Sequence, residues 1–221
     1  MEKNIFKFFM MIIFVMLFLS CSSPKIIKLG SSYGSISENS KQDKDAAKIP
    51  ENAVSSNTQS GSTVSFQTTF EYKGLTFQTG IDYVNSRHTI SFDDTARNYQ
   101  GRRLFNMHQF RVPFYYNINI LRDFDRVPTI ILHIGFSGGL TLTPGVTDEY
   151  YLDLPGYSFN HFDIGPQVGL TIQPLQLDYH HYFGLYVDFY KGTRVYKDVY
   201  HEDKGAGNFS FYKFGALLYF R

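Results

Sequence analysis

The sequence predicts an all-β fold, an eight-stranded antiparallel up-and-down transmembrane β-barrel, and two observations carry that prediction. Between residues 129 and 143, every even position except Gly138 is apolar, while most odd positions are small or polar. Successive side chains of a strand point to opposite faces of the sheet, so one face is apolar and the other is polar. Similar segments recur from Val64 onward, behind a secretion signal. This combination favours a closed barrel in an outer membrane, because backbone polar groups cannot stay unpaired in lipid.

Residues 1–20 are predicted to be a signal peptide. A lysine-containing start precedes the apolar run Phe8–Leu19, which is short for a helix that spans a bilayer. Cys21, the single cysteine of the chain, follows in a pattern that resembles a bacterial lipobox, which predicts lipidation of this residue. Phe18 stands where a lipobox prefers leucine, so ordinary cleavage nearby is the alternative. The barrel is assigned to residues 21–221.

Alternation by itself predicts seven strands. They cover residues 63–72, 75–90, 106–121, 128–143, 161–174, 180–196 and 208–220. Bacterial single-chain barrels have an even number of strands, and an open edge cannot face lipid. Residues 25–36 are therefore predicted to be the first strand, followed by a long polar first loop, residues 37–62. The alternative is that residues 22–62 form a disordered tether behind Cys21.

The predicted connections alternate in length, as periplasmic turns alternate with extracellular loops. The short connections are residues 73–74, 122–127 and 175–179, and the long ones are residues 37–62, 91–105, 144–160 and 197–207. This order places the short connections at the periplasmic end of the barrel.

The apolar face is predicted to contact lipid, although a soluble ligand-carrying barrel also alternates, with its apolar face turned inward. The polar faces are poor in lysine and glutamate and rich in Gly, Ser, Thr, Gln and Asn, whereas a solvated face carries many long charged side chains. Strands of about 10–16 residues are long enough for a tilted bilayer span. Tyrosine and phenylalanine gather near strand ends, as they do in interfacial aromatic girdles.

The polar face is predicted to form a plugged, salt-bridged lumen. Eight strands leave an interior that side chains fill, and charges buried there must pair because an isolated buried charge is very costly. The predicted lumen charge network is Glu71, Asp82, Arg111, Asp163, Asp188, Arg194 and Lys213, with Lys28 and His133 also facing inward. A proton or ion path through these groups is the alternative interpretation.

Composition and motifs favour no catalytic or nucleic-acid-binding role. Lys+Arg total 21 against 20 Asp+Glu, so the chain lacks the basic character of a nucleic-acid-binding protein. No HExxH, GxSxG or CxxC motif is present, so no catalytic, cofactor-binding or metal-binding residue is predicted. His180 and His181 are adjacent and point to opposite faces of a strand. His201 lies beside two acidic residues in a predicted loop, where a surface cation site is the alternative to a solvated loop.

Two predicted outer loops are candidates for binding a protein partner. Loop 144–160 mixes tyrosines with acidic residues, and tyrosine is favoured at binding surfaces because it is large and amphipathic. Loop 197–207 is the second candidate. Packing of these loops over their own barrel is the alternative. Outer-membrane lipid is the other expected partner, and the barrel is expected to be a monomer.

Five segments resemble the outer-membrane β-barrel domain of Bacteroidota, a family that includes the PorT-like proteins. They are Lys28–Tyr33, Leu75–Tyr83, Phe110–Tyr116, Asp163–Gly169 and Gly215–Phe220. The resemblance implies an eight-stranded barrel, and for some members a link to type IX protein secretion. It implies no catalytic residues. Two features depart from the family: Arg221 follows the terminal aromatic residue, and a cysteine stands at the cleavage site.

These observations favour an integral outer-membrane barrel with a structural or interaction role. One alternative is an accessory component of a secretion or surface-assembly machine. Another is a lipid-anchored periplasmic barrel that binds an apolar ligand. An outer-membrane barrel and a periplasmic barrel predict opposite orientations of the apolar faces. Phe136, Leu170 and Phe214 would contact lipid in an outer-membrane barrel, and they would converge at the centre of a periplasmic one.

Overall fold

The computed structural model describes residues 24–37, 54–94, 99–122, 128–142, 145–149, 157–178, 180–198 and 206–220. These residues form ten strands: β1 (Lys25–Ser37), β2 (Val54–Tyr72), β3 (Leu75–Asp94), β4 (Tyr99–Arg122), β5 (Pro128–Thr141), β6 (Gly145–Glu149), β7 (Tyr157–Phe159), β8 (Phe162–Gln176), β9 (His181–Asp198) and β10 (Ala206–Phe220). Within these ranges, no helix has the length and apolar character needed to cross a bilayer.

Eight of the strands close into an antiparallel barrel. The order around the barrel is β10, β1, β2, β3, β4, β5, β8 and β9, and β9 pairs back with β10. The first and last strands form the closing seam, with a register that runs from Lys25↔Phe220 to Ser37↔Asn208. The predicted eight-stranded up-and-down barrel is confirmed, and residues 25–37 form its first strand rather than part of a tether.

The hairpin between β2 and β3 shows how local sequence sets the register. Lys73 and Gly74 both have positive φ, 51° and 79°, and they follow the pair Tyr72↔Leu75. Two consecutive residues with positive φ make the type I′ turn, whose twist matches that of the flanking strands. Glycine adopts this backbone conformation without a steric penalty.

Exposure alternates along the barrel strands and leaves the apolar side chains outside. At the start of β8, Phe162 is 55% exposed, Asp163 is 1% exposed and Ile164 is 51% exposed. Phe136 and Phe214 are 59% and 45% exposed, so they do not converge at the centre. The apolar face is therefore the outer surface of the barrel, and the arrangement expected of a soluble carrier of apolar ligands is not found.

The outward apolar side chains form a continuous belt around the barrel, here called the apolar belt. Its longest segments are Leu75–Tyr83 in β3, Phe110–Ile120 in β4, Phe162–Ile172 in β8 and Tyr212–Phe220 in β10. The other four barrel strands contribute exposed apolar residues as well: Leu29 and Tyr33 in β1, Phe66 and Phe70 in β2, Ile134 and Phe136 in β5, and Leu185 and Val187 in β9. A tilted β-strand needs about 9–11 residues to cross the hydrocarbon of a bilayer, and the longest segments have that length. Aromatic rings strengthen the belt across strands, because centroids 5.6 Å apart join Phe77 to both Phe70 and Phe114.

Three strands continue beyond the apolar belt at the end that carries the long connections. Residues 54–59 pair with residues 87–92, and residues 85–94 pair with residues 99–108. Strand β6 adds to this sheet by pairing with residues 102–106 of β4. We call this sheet the outer extension.

The outer extension corrects the predicted bounds of the outer loops. Residues 54–62 of the predicted first loop 37–62 belong to β2, and most of the predicted loop 91–105 belongs to β3 and β4. Polar residues predominate in the sequence of these segments, so they lack the regular apolar–polar alternation by which strands in lipid are recognised. Residues 38–53 lie outside the described ranges.

The two loops predicted to bind a partner are only partly described. Strands β6 and β7 lie within loop 144–160, where they pair with β4 and β9 respectively. Residues 197 and 198 of the other loop belong to β9, and residues 206 and 207 belong to β10. The remaining residues of both loops lie almost entirely outside the described ranges.

Candidate functional site in the barrel interior

A cluster of four charged side chains lies at the centre of the lumen. Lys28, Asp82, Asp188 and Lys213 have no exposed side-chain area. Asp188 Oδ2 lies 3.3 Å from Lys28 Nζ and 3.4 Å from Lys213 Nζ. Lys213 Nζ also donates a hydrogen bond to Asp82 Oδ2. Two ammonium groups and two carboxylates therefore neutralise one another, which is what burial of charge requires.

A chain of side-chain amides extends from this cluster across the wall. Gln67 Nε2 donates to Asp82 Oδ1 at 2.6 Å, and Gln78 Nε2 donates to Gln67 Oε1. Asn117 Nδ2 donates to Gln78 Oε1 at 3.0 Å. Each amide donates towards the carboxylate of Asp82, and hydrogen bonds aligned in this way strengthen one another.

His133 ends the amide chain. Its Nδ1 lies 2.8 Å from Asn117 Oδ1, and its Nε2 lies 2.7 Å from Thr171 Oγ1. Because Asn117 uses its NH₂ group on Gln78, its Oδ1 accepts the bond from His133. The hydrogen bonding therefore assigns a proton to Nδ1, while Nε2 is held by the Thr171 hydroxyl.

Every strand of the barrel contributes at least one side chain to this connected network. In barrel order from β1, the members are Lys28, Gln67, Gln78 with Asp82, Asn117, His133, Thr171, Asp188 and Lys213. Hydrogen-bonded buried polar networks rigidify a fold and specify one arrangement. Within the described residues, Asp188 Oδ1 is the one polar atom of this network that has no hydrogen-bond partner. We call the whole set the eight-strand network, since it cross-links the wall through the lumen.

A second ionic cluster is built around Arg111. Its Nη1 lies 3.0 Å from Asp163 Oδ1, and its Nε and Nη2 donate to Ser137 Oγ and O at 3.2 and 3.3 Å. The guanidinium carbon lies 3.8 Å from the centre of the Tyr190 ring, and the Tyr190 hydroxyl donates to Asp163 Oδ2. Arginine suits this position because its planar fork pairs with a carboxylate while its face stacks on an aromatic ring.

Glycines leave the space that the Arg111 cluster occupies. A Cβ atom at Gly139 would lie 2.5 Å from Arg111 Nη1 and 2.9 Å from Asp163 Oδ1. A Cβ atom at Gly192 would lie 2.5 Å from Asp163 Oδ2. The inward glycines of these strands are therefore part of the site, because any side chain there would displace the ion pair.

We expect Gly139→Ala to destabilise the barrel by about 1–3 kcal/mol, the usual cost of overpacking a filled interior. The neighbouring Gly138→Ala is the matched control, since a Cβ there meets only the ring of Phe162, at 3.9 Å, on the lipid side. Urea unfolding in lipid vesicles measures both variants. Equal stability of the two would show that Gly139 does not make room for Arg111.

Apolar side chains cover the inner face above and below the ionic clusters. Towards the outer extension, Phe105, Met107, Phe209 and Phe211 are at most 1% exposed. The Phe211 ring stacks on Tyr190 with centroids 4.8 Å apart, so this layer rests directly on the Arg111 cluster. At the end that carries the short connections, the buried residues Ile26, Leu217 and Tyr186 pack with the partly buried Tyr219.

The structure brings most of the predicted lumen charges into the interior. Asp82, Arg111, Asp163, Asp188 and Lys213 are buried in ionic clusters. Glu71 was expected there too, but it is exposed, and this part of the prediction is wrong. It follows the inward alternation of β2 yet lies beside the Lys73–Gly74 turn, beyond the enclosed part of the barrel.

Two predicted site residues cannot be placed. Arg194 pairs through its backbone with Asn208 in the β9–β10 ladder, and its side chain lies outside the described part of the structure. Cys21 lies outside the described residues as well. The prediction of its lipidation stays a prediction.

The predicted lumen network contained charged residues alone and left out the uncharged polar residues of the interior. Gln67, Gln78, Asn117 and Thr171 lie on the predicted polar faces, and the alternation that identified the charged positions identifies them too. The large apolar side chains at the outer end, such as Phe209 and Phe211, follow the inward alternation of β10, but the prediction of a polar lumen did not include them.

His180 and His181, in the turn between β8 and β9, make local contacts with Asp178. The Asp178 carboxylate accepts bonds from the backbone N–H groups of His180 and His181 at 2.8 and 2.9 Å, and from His181 Nδ1 at 2.7 Å. The backbone bond from His180 is the main reason that the pKa of Asp178 lies below its ordinary value. Among the residues described, no group of three or more His, Cys, Asp or Glu side chains is placed to hold a metal ion. His201 lies outside them.

Comparisons with known proteins show similarity of fold alone. No protein-family model matches the sequence, and no curated protein is significantly similar to it. The crystal structure of the outer membrane protein OprG from Pseudomonas aeruginosa superposes with a TM-score of 0.50 and 10% identity, covering 90% of this chain and 96% of that one. The structure of Ail from Yersinia pestis gives a TM-score of 0.43 and 11% identity, covering 90% of this chain and 99% of that one. The chain thus has the fold of an eight-stranded outer-membrane β-barrel.

Proposed function

We propose that the protein is an integral outer-membrane β-barrel with a plugged lumen and a structural or interaction role without catalysis. The observation that carries this proposal is the inversion of polarity between the two faces of the wall. Phe136 is 59% exposed on the outside, while the adjacent Ser137 is completely buried inside. A water-soluble protein gains nothing from such an exterior, whereas a bilayer solvates it.

The side chains that fill the lumen support the proposal that it is plugged. Three cations, Lys28, Arg111 and Lys213, are balanced by three carboxylates, Asp82, Asp163 and Asp188, in the described ion pairs. The buried apolar side chains of Phe105, Met107, Phe209 and Phe211 cover the ion pairs at the end of the barrel where the outer extension begins. An interior of this width is filled by side chains, so we assign the ionic clusters to stability rather than to ion transport.

The interaction role is supported by the outer extension. Sheet that continues beyond the apolar belt contributes nothing to crossing the bilayer, and it offers surface outside the membrane to a binding partner. A finer version of this proposal is an accessory role in a secretion or surface-assembly machine, as the resemblance to PorT-like proteins implies. Acylation of Cys21 would add an anchor next to β1 at the periplasmic rim.

We expect Phe136→Lys to lower the free energy of unfolding in phospholipid vesicles by about 2–4 kcal/mol, the cost of a cation near the bilayer midplane. Phe136 pairs with Phe114 and Pro166 within the apolar belt, so the ammonium group would be far from either interface. Urea titrations followed by heat-modifiable electrophoretic mobility measure the folded fraction.

The matched control is Leu177→Lys. Leu177 is 60% exposed, but it lies in a periplasmic turn, past the end of β8, where a cation stays in water. An equal loss of stability in both variants would contradict contact between Phe136 and lipid. A wild-type protein that leaves the membrane fraction on cleavage of a lipid anchor would instead favour the periplasmic barrel.

A further inference from the structure

We propose that the outward face of the outer extension, just above the apolar belt, binds the phosphate groups of lipids in the outer leaflet. The residues are Gln59, Asn85, Arg87, Asn106 and His108, which we call the phosphate platform. The proposal deepens the proposed function and rests on insertion of the barrel in a membrane. Phosphate carried by a lipid is the ligand, because the platform is continuous with the surface that contacts lipid.

The strand register places the platform residues side by side. Arg87 of β3 stands opposite Gln59 of β2 on one side and opposite Asn106 of β4 on the other. Asn85 stands opposite His108. Residues directly opposite in antiparallel strands have Cβ atoms about 4.5–5.5 Å apart. The platform is therefore one compact patch across three strands.

Alternation of burial shows that Arg87 faces outward, and the other four platform residues are half-buried beside it. Ser86 and His88 are buried, whereas Arg87 between them is exposed. A register shift between Gln59 and Thr63 reverses the alternation of β2, so that Gln59 stands beside the exposed Arg87 while Thr63 stays buried. Bulges of this kind re-aim side chains at barrel rims.

The platform begins where the apolar belt ends. Tyr83 and Phe110 are the last belt residues of β3 and β4, and their ring centroids lie 5.5 Å apart. The Tyr83 hydroxyl lies 2.7 Å from His108 Nδ1, and this contact links the end of the apolar belt to the phosphate platform. At the rise of a β-strand, Arg87 lies about 13 Å beyond Tyr83 along a tilted strand. This is the level of the lipid head groups, which border the hydrocarbon.

The chemistry of the patch fits a phosphate ester. An exposed guanidinium group presents a planar fork of N–H donors, which pairs with two phosphate oxygens at once. Gln59 and Asn106 flank Arg87 at the adjacent register positions, and each carries an amide NH₂ group with two donors. The Gln59 amide uses one donor on Thr89 Oγ1, at 3.4 Å, which leaves the second for a ligand. A cation surrounded by neutral donors, at the edge of a lipid-contacting surface, recognises an anionic head group in preference to a neutral one.

The test uses the purified full chain in maltoside detergent and native mass spectrometry of bound lipid. The probes are a bisphosphorylated glucosamine lipid (lipid A) and the same lipid after enzymatic removal of its phosphates. We expect Arg87→Gln to weaken binding of the phosphorylated lipid about tenfold, the usual loss for a hydrogen bond to a charged group. Arg87→Lys keeps the charge and is expected to bind with intermediate affinity.

Lys73→Gln is the matched control, because Lys73 is an exposed cation in the turn at the opposite end of the barrel. Equal affinity of wild type and Arg87→Gln, or equal affinity of wild type for the two lipids, would overturn the phosphate platform. The comparison of two lipids on wild type decides the question even if the Arg87 variants fail to fold. Insertion of wild type into vesicles is scored separately, so failure of the platform and failure of the membrane proposal are distinguishable.

Discussion

Asp188→Asn is expected to lower the free energy of unfolding in lipid vesicles by about 3–5 kcal/mol. Asp188 is the shared partner of two buried ammonium groups, at 3.3 Å from Lys28 and 3.4 Å from Lys213. Lys213 keeps its bond to Asp82 in the variant, but Lys28 loses its carboxylate and keeps the rings of Tyr186 and Tyr115, whose centroids lie 4.8 and 5.9 Å from its Nζ. A buried cation without a counter-ion is the costly product of this substitution. Urea titration with heat-modifiable mobility measures the loss.

The double variant Lys28→Met with Asp188→Asn tests the cause. It removes one buried cation together with one buried anion, and replacing both members of a buried pair is often neutral or stabilising. We therefore expect it to recover most of the stability that the single variant loses. Asp178→Asn, at an exposed turn carboxylate, controls for loss of a negative charge in general and is expected to have a small effect. A double variant as unstable as the single one would argue against unpaired charge as the cause.

Arg111→Ala is the second substitution with a large expected effect, again about 3–5 kcal/mol, with insertion into the membrane unchanged. The variant removes the bonds to Asp163 and Ser137 and the stacking on Tyr190. The carboxylate of Asp163 would then stay buried with only the Tyr190 hydroxyl as a partner. Thermal melting in detergent measures the effect, and carbonate extraction of membranes measures insertion.

The companion variant is Arg111→Met combined with Asp163→Leu. It replaces both charges by side chains of similar length, and we expect a melting temperature closer to wild type than that of Arg111→Ala. An unchanged melting temperature in Arg111→Ala would contradict a buried structural role for Arg111. Loss of insertion with normal stability in detergent would instead point to a role in assembly.

Much of the architecture was predictable because the alternation of apolar and polar residues is visible within each strand. In β8, the sequence Phe162–Gln173 alternates apolar and small polar residues, and the structure shows the same alternation of exposure. The strand from Lys25 to Ser37 has weak alternation, and its prediction came from the need to close the barrel. Both predictions needed only the side-chain period of a strand and the exclusion of free edges from lipid.

The outer extension was not predictable in the same way. Residues 54–62 have polar or small side chains on both faces, so nothing in their pattern distinguishes a strand from a loop. The register shift between Gln59 and Thr63 further interrupts the alternation that marks the rest of β2. Pairing with β3 makes these residues a strand, and pairing is a property of two segments together.

The sequence alone determined which residues share a face of each strand, and hence that one face of the wall is apolar and the other polar, because this depends only on the period of two. Only the tertiary structure decided which polar groups meet. Lys28 and Asp188 are 160 positions apart, and they pair because closure and strand stagger bring β1 and β9 to the same level of the lumen. The same closure left Glu71 in solvent, although it follows the inward alternation. Contacts across a lumen depend on the offsets between all neighbouring strands together. The sequence pattern of a single strand does not contain this information.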